Sequence, residues 1–273
     1  MHMHRAMIAI LGAAVLGGCS GNYIMTVPDQ VAPAGGDAAA VIRLQRAEIA
    51  LMALPVEGAA IRFRIAGQLQ RGAYTDKLGY AGTTVPAPDK PGKYTLVVEH
   101  MDKEGDEINK DVPCYVLDAK RPVIAVDLAC LPHYGSAGAV EARDAMQRLA
   151  KEAPIVYVTD RAVSEHFNIH QGLALEGFPD GAVLMWQHEN YHIVRDGPMK
   201  MPRIVVESRL VSQLPTLQKI FPQLKTGITD SPAGARMFAQ AGMNVIAIGP
   251  APMEGATVTR CAAWTALDAD AVK

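Results

Sequence analysis

The sequence predicts a chain in two parts, an all-β sandwich of immunoglobulin type followed by an α/β domain built on a parallel sheet. Three observations carry this. Residues 38–118 hold short runs in which apolar and polar side chains alternate, separated by turn signals. From Arg121 onward, short apolar runs of strand type alternate with amphipathic stretches of helix length, the pattern of βαβ units. Hydrophobic residues make up 49% of the chain and charged residues 20%, so there is enough apolar side chain to fill a core.

Residues 1–18 read as a signal peptide. Arg5 gives a positive start, and Ala6 to Val15 form an apolar stretch too short to span a bilayer. Leu16-Gly17-Gly18-Cys19 follows, then the polar Ser20. This tetrad resembles the bacterial lipobox, which implies that Cys19 is diacylated and becomes the new N-terminus. Ser20 in place of aspartate resembles the sorting signal for the outer membrane. The expected location is therefore the bacterial cell envelope, with the chain anchored by its lipid. Residues 19–37, with Pro28, Pro33, Gly35 and Gly36 among small residues, have the composition of a linker.

In the β part, strands are expected at Glu48 to Leu54, Ala60 to Ile65, Lys93 to Glu99 and Val112 to Leu117. Turns are expected at Gly58, Asp76 to Gly79, Pro91-Gly92 and Asp102 to Asp106. In the α/β part, residues 119–273, strands are expected at Pro122 to Asp127, Ile155 to Thr159, Ala182 to Trp186 and Val245 to Ile248. The helices are expected at Ala137 to Lys151, Val163 to Leu175, Val205 to Phe221 with a bend near Pro215, and Pro232 to Ala241.

A formal net charge of −2 without a basic block argues against nucleic acid as a partner, as does an aromatic content of 5%. Besides Cys19 there are Cys114, Cys130 and Cys261, whose spacing makes neither a metal knuckle nor a CxxC redox pair. One disulfide at most can form among them.

Ligands of an open parallel sheet bind beyond the carboxyl ends of its strands. Asp127, Thr159 and Asp230 fall at such ends. Ile124-Ala-Val-Asp127-Leu-Ala129-Cys130-Leu131 resembles the first motif of the haloacid-dehalogenase-like (HAD-like) phosphatases. Tyr157-Val-Thr159-Asp-Arg161 resembles their second motif, and Thr229-Asp230-Ser231-Pro232 their acidic fourth. Pro154 to Arg161, Gly177-Phe-Pro-Asp-Gly181 and Asp230 to Phe238 are similar to the lipin-type C-terminal domain of the large phosphatidylinositol-transfer proteins. Related actin-patch-type phosphatidate phosphatases are the catalytic version of that plan. The resemblance implies a Rossmann-like, HAD-like fold, a phosphorylated ligand such as phosphatidic acid, and Mg²⁺ held by Asp127 and Asp230.

It also implies a damaged catalytic set. Asp127 stands where the nucleophile belongs, but Ala129 replaces the general acid, Leu131 the motif's threonine, and Gly234 an acidic residue of the fourth motif. No lysine lies in Val206 to Leu210, where Arg209 is the available cation. Loss of a general acid alone costs about 10²–10⁴ in rate. The expected function is thus binding of a phosphorylated small molecule or phospholipid, with Thr159, Arg161, Arg209 and Asp230 around the ligand. An Mg²⁺-dependent phosphatase using Asp127 is the enzymatic alternative, and an envelope protein acting through its β part the structural one. Asp230 also reads simply as the N-cap of the helix that follows it.

His188-Glu-Asn-Tyr-His192 spells the HExxH zinc-protease signature, which requires both histidines on one helix face. The strand-like run before it and Asp196-Gly197-Pro198 after it leave little room for a helix. His166 and His170, four apart on an expected helix, read as a solvated face.

Overall fold

In a computed structural model, the described residues are 23–49, 52–66, 68–102, 105, 107–132, 136, 138–161, 165–184, 190–194, 203–207, 210–249 and 258–267. The first nine strands are β1 (Tyr23–Thr26), β2 (Gln30–Pro33), β3 (Asp37–Ile49), β4 (Met52–Pro55), β5 (Ala60–Ile65), β6 (Gln68–Tyr74), β7 (Tyr80–Pro86), β8 (Gly92–Met101) and β9 (Glu107–Leu117). Strands β1, β3 and β4 form one antiparallel sheet, in which β7 also pairs with β3. A second sheet runs β2-β9-β8-β5-β6 and is mixed, because β2 lies parallel to β9 while its other pairs are antiparallel.

Alternation sends one face of each strand inward. Ile61, Phe63 and Ile65 of β5 meet Ala40, Ile42 and Leu44 of β3 in a common core with Leu96, Val98, Val112 and Val116. At the β3–β7 junction Gly79 has a φ of +80°, and a Cβ there would run into the Leu44 carbonyl, so the turn requires glycine.

The second half contains β10 (Val123–Asp127), α1 (Ala139–Glu152), β11 (Ile155–Val158), α2 (His166–Glu176), β12 (Ala182–Leu184), β13 (Asn190–Val194), β14 (Arg203–Glu207), α3 (Leu210–Ile220), β15 (Leu224–Thr229), α4 (Pro232–Gln240), β16 (Asn244–Ile248) and β17 (Val258–Cys261). Six of these strands form a parallel sheet in the order β12-β11-β10-β15-β16-β17. Ile124 and Val126 face α1 and α2, against Met146, Leu149, Ile169 and Leu173. Val123 and Ala125 face the other way, toward Leu214, Phe221, Ala235 and Phe238 of the α3–α4 side. Sequence order runs outward in both directions from the β10–β15 pair, the kind of switch point beyond whose carboxyl ends open parallel sheets take ligands. No helix among the described residues is long and apolar enough to cross a membrane.

The expected fold class, a Rossmann-like, HAD-like α/β domain behind an immunoglobulin-like sandwich, is corrected by this architecture. The chain is mostly β: the described residues hold seventeen strands in four sheets against four α-helices. Its sheets include antiparallel and mixed ones, and the parallel sheet is one of the four. The β13–β14 hairpin also interrupts the expected strand–helix alternation.

The sources of the error are local. The stretch 19–37, expected to be a linker, carries β1 and β2 from Tyr23 onward. Met25, Val27 and Ala32 are buried, and Pro33 is tolerated because β2 is an edge strand. The strand expected over Glu48 to Leu54 is split into the antiparallel pair β3 and β4, a break that a continuous apolar run does not reveal. The helix expected from Val205 starts at Leu210, and the β-branched Ile204-Val205-Val206 belongs to β14.

Candidate functional site

Asp127 ends β10 and caps a short 3-10 turn, Leu128–Cys130. Its Oδ1 accepts from the Ala129 N–H at 3.0 Å, and its Oδ2 accepts from the Thr229 hydroxyl at 2.9 Å. Thr229, fully buried at the end of β15, accepts in turn from the Ser231 N–H at 3.1 Å. Ser231 Oγ accepts from the Gly234 N–H at 3.0 Å, so the cap of α4 is Ser231, with Pro232 in the first turn. Asp230 stands one residue upstream of the cap, which corrects the reading of it as the N-cap.

Gly234 presses this first turn onto the strand ends. A Cβ there would collide with the Thr229 hydroxyl and the Asp127 carboxylate. The acidic residue that the resemblance calls for at this position has no room in this packing. Burial pushes the Asp230 carboxyl above its ordinary range, and the neighbouring Asp127 charge adds to the effect. The buried Cys130 thiol is held far above the usual thiol range, first by desolvation and then by these two carboxylates. Cys114, Cys130 and Cys261 are all free and buried.

Thr159 follows β11 and is buried. Its N–H donates to the Leu184 carbonyl at 3.1 Å, and its Oγ1 accepts from the Arg161 N–H at 3.2 Å, which fixes the turn that presents Arg161. The Arg161 guanidinium lies 3.7 Å from Glu165, with both side chains about half exposed. It borders a cavity of about 110 Å³ whose apolar walls are Leu128, Leu131, Ile169 and Leu173. Asp127, Asp230, Thr159 and Arg161 therefore lie at neighbouring strand ends. Cys19 and Arg209 lie outside the described residues, as do His188 and Glu189 of the HExxH stretch. His192 sits on β13, a strand, so the single helix that this signature needs is not formed.

One cluster has no sequence motif. Asp29, between β1 and β2, is fully buried. Its Oδ1 accepts from His166 Nε2 at 2.6 Å, and its Oδ2 accepts from His170 Nε2 at 2.8 Å and from the Val183 N–H at 2.7 Å. Burial alone would raise this carboxyl, but the hydrogen bonds from His166 and His170 and the electrostatic pull of both rings together outweigh it and hold the group below its ordinary range. The reading of His166 and His170 as a solvated face is corrected. Both point at a buried carboxylate 137 and 141 residues away in sequence.

No protein-family model matches the chain, and no curated protein is similar to it. Among solved structures it is weakly similar to the adhesin InvE of Yersinia pseudotuberculosis, at 16% identity and a TM-score of 0.29 over 41% of this chain and 34% of that one. A cycloisomaltooligosaccharide glucanotransferase of Paenibacillus sp. is 8% identical at a TM-score of 0.26, over 82% of this chain and 44% of its own. A family 39 glycoside hydrolase of Bacteroides cellulosilyticus is 12% identical at a TM-score of 0.27, over 82% and 50%. The chain thus spans half or less of these proteins' lengths, and likenesses at such scores carry no argument about its function.

Proposed function

We propose that this chain is a lipid-anchored protein of the bacterial envelope, tethered through Cys19, that binds a phosphorylated ligand in the crevice at the carboxyl edge of its parallel sheet. Phosphatidic acid is the phospholipid candidate that the resemblance to lipin-type domains suggests. The observation that carries the reading is Arg161, a cation lining a cavity that Leu128, Leu131, Ile169 and Leu173 share with the polar Asn168 and Glu176, next to the carboxyl ends of β10 and β11. A guanidinium offers a fork of donors to phosphate oxygens, and the Leu128, Leu131, Ile169 and Leu173 walls suit an adjoining apolar part. The cavity of about 110 Å³ suits a small group and not two acyl chains, so a lipid would enter by its head group.

Asp127 and Asp230 fit a Mg²⁺ ion that accompanies the phosphate. They are hard oxygen ligands, and the proximity that raises Asp230 is relieved by a cation. Such an ion would neutralise phosphoryl charge. Efficient turnover is not part of the proposal. Residue 129 offers only its backbone N–H, already given to Asp127, and so no side-chain acid for a leaving group.

Phosphate release from phosphatidate and from an aryl phosphate, with Mg²⁺ and then with chelator, tests this. The expected result is no turnover above the Asp127→Asn background. Turnover that needs Mg²⁺ and is abolished by Asp127→Asn would replace the binding protein with a phosphatase.

A further inference from the structure

We infer that Asp29, His166 and His170 form a binding site for one divalent transition-metal ion, separate from the phosphate crevice. Their ligand atoms, two imidazole nitrogens and a carboxylate oxygen, all lie within 4.8 Å of one another. Ligands at the 2.0–2.1 Å typical of zinc stand about 3.3 Å apart around a tetrahedral ion. The present Nε2–Oδ separations of 2.6 and 2.8 Å are therefore a small side-chain movement from coordination. Each imidazole ligates through Nε2 once that nitrogen is unprotonated, so the hydrogen bonds to Asp29 give way to metal bonds on binding.

The support is that of a built site. His166 and His170 are one turn apart on α2, and that helix is anchored in the core by Ile169 and Leu173. Asp29 has no exposed side-chain surface, and the Val183 N–H fixes one of its oxygens from behind. The two imidazoles are 15% and 21% exposed, so solvent reaches the cluster from their side only. With three protein ligands a tetrahedral ion would keep its fourth position for water or a small anion, the arrangement of a reactive or exchangeable zinc-type centre and not of a closed structural one.

The donor set selects the metal. Two nitrogens and one carboxylate suit Zn²⁺, Co²⁺ or Ni²⁺, whereas Mg²⁺ and Ca²⁺ demand oxygen ligands. A bound dication leaves one net positive charge with these three ligands, so the open position favours water, hydroxide or a small anion. The ion would also tie the β1–β2 connection to α2. The phosphate cavity uses other residues of that helix, Asn168, Gly172 and Glu176.

Co²⁺ is the probe for this site. The full chain, stripped with chelator and held in detergent, is titrated with Co²⁺ and followed by visible absorption and metal content. The expected result is one tightly bound Co²⁺ per chain with a tetrahedral-type spectrum, displaced by Zn²⁺. His166→Gln and His170→Gln should each weaken binding by more than about 100-fold, beyond the loss typical of an outer-shell partner. The double variant His188→Ala/His192→Ala should bind as the wild type does. A wild-type chain that binds no Co²⁺ would overturn the proposal, as would binding unchanged in both glutamine variants or lost in the His188/His192 variant. Folding of the variants is not the only route to an answer, because histidine acylation mapped by mass spectrometry needs no substitution. Zn²⁺ should protect His166 and His170 in the wild-type chain, and equal labelling with and without Zn²⁺ would sink the site.

Discussion

The hydroxyl of Thr229 donates to Asp127 Oδ2 at 2.9 Å, and this bond ties the ends of β10 and β15 across the point where the parallel sheet changes direction. Thr229 is fully buried, whereas its partner Asp127 is part-buried. Thr229→Val keeps the shape and removes the donor. It should lower the unfolding free energy by about 0.5–1.5 kcal/mol, the usual net worth of one hydrogen bond, because the Asp127 carboxylate left behind is only part-buried; urea unfolding reads this. A loss near zero would mean that the Asp127 carboxylate finds another donor.

Asp230 gives a pH dependence of definite sign. Its folded-state carboxyl is raised above the ordinary aspartate range, by burial first and by Asp127 second. The unfolded chain therefore releases this proton at a lower pH than the folded chain. As pH rises through that window the folded state binds more protons, and stability falls. Asp230→Asn should accordingly raise the melting temperature at neutral pH without added Mg²⁺, and the gain should disappear below the ordinary aspartate range. A variant no more stable than the wild type at neutral pH would show that burial and the Asp127 charge do not raise this carboxyl.

Among the described residues, polar contacts join the halves of the chain at Asp180, which meets Lys93 and accepts from the Tyr115 hydroxyl, and at Asp29, and burial separates their expected weights. Lys93 Nζ meets Asp180 at 2.8 Å with both side chains about half exposed, which is worth at most about 1 kcal/mol. Asp29 is fully buried and accepts from two imidazoles and the Val183 N–H, and each buried partner left unpaired costs about 1–3 kcal/mol. Lys93→Met should therefore leave the unfolding midpoint nearly unchanged in metal-free buffer, while Asp29→Ala lowers it strongly. Equal effects would contradict the placement of Asp29.

What could be seen in the sequence follows from how local each signal is. Ile155–Val158 and Val123–Asp127 are short β-branched runs that end at a polar residue, so β10, β11 and the positions of Asp127 and Thr159 are visible without a structure. Gln68–Tyr74 and Tyr80–Pro86 have no such contrast, and β6 and β7 exist because β5 and β3 pair with them. The fold class failed for the same reason. Pairing partners such as β2 with β9 are set by tertiary contacts between Gln30–Pro33 and Cys114–Leu117 that no periodicity records. Gly234 reads as a missing acid in the sequence, whereas in the fold its lack of a side chain lets α4 close on Asp127. The Asp29 cluster was illegible because one aspartate in a Pro- and Ala-rich stretch gives no sign of histidines 137 and 141 residues ahead.

The most direct test of the binding proposal is sedimentation with lipid vesicles. Full-length chain carrying Cys19→Ser, which removes the proposed lipid anchor, is mixed with phosphatidylcholine vesicles with and without phosphatidic acid. Binding should depend on phosphatidic acid and fall about 10-fold or more in Arg161→Ala, the effect of losing one charge-assisted hydrogen-bond partner. Binding that ignores phosphatidic acid, or that Arg161→Ala leaves intact, would contradict the crevice as a phosphate site.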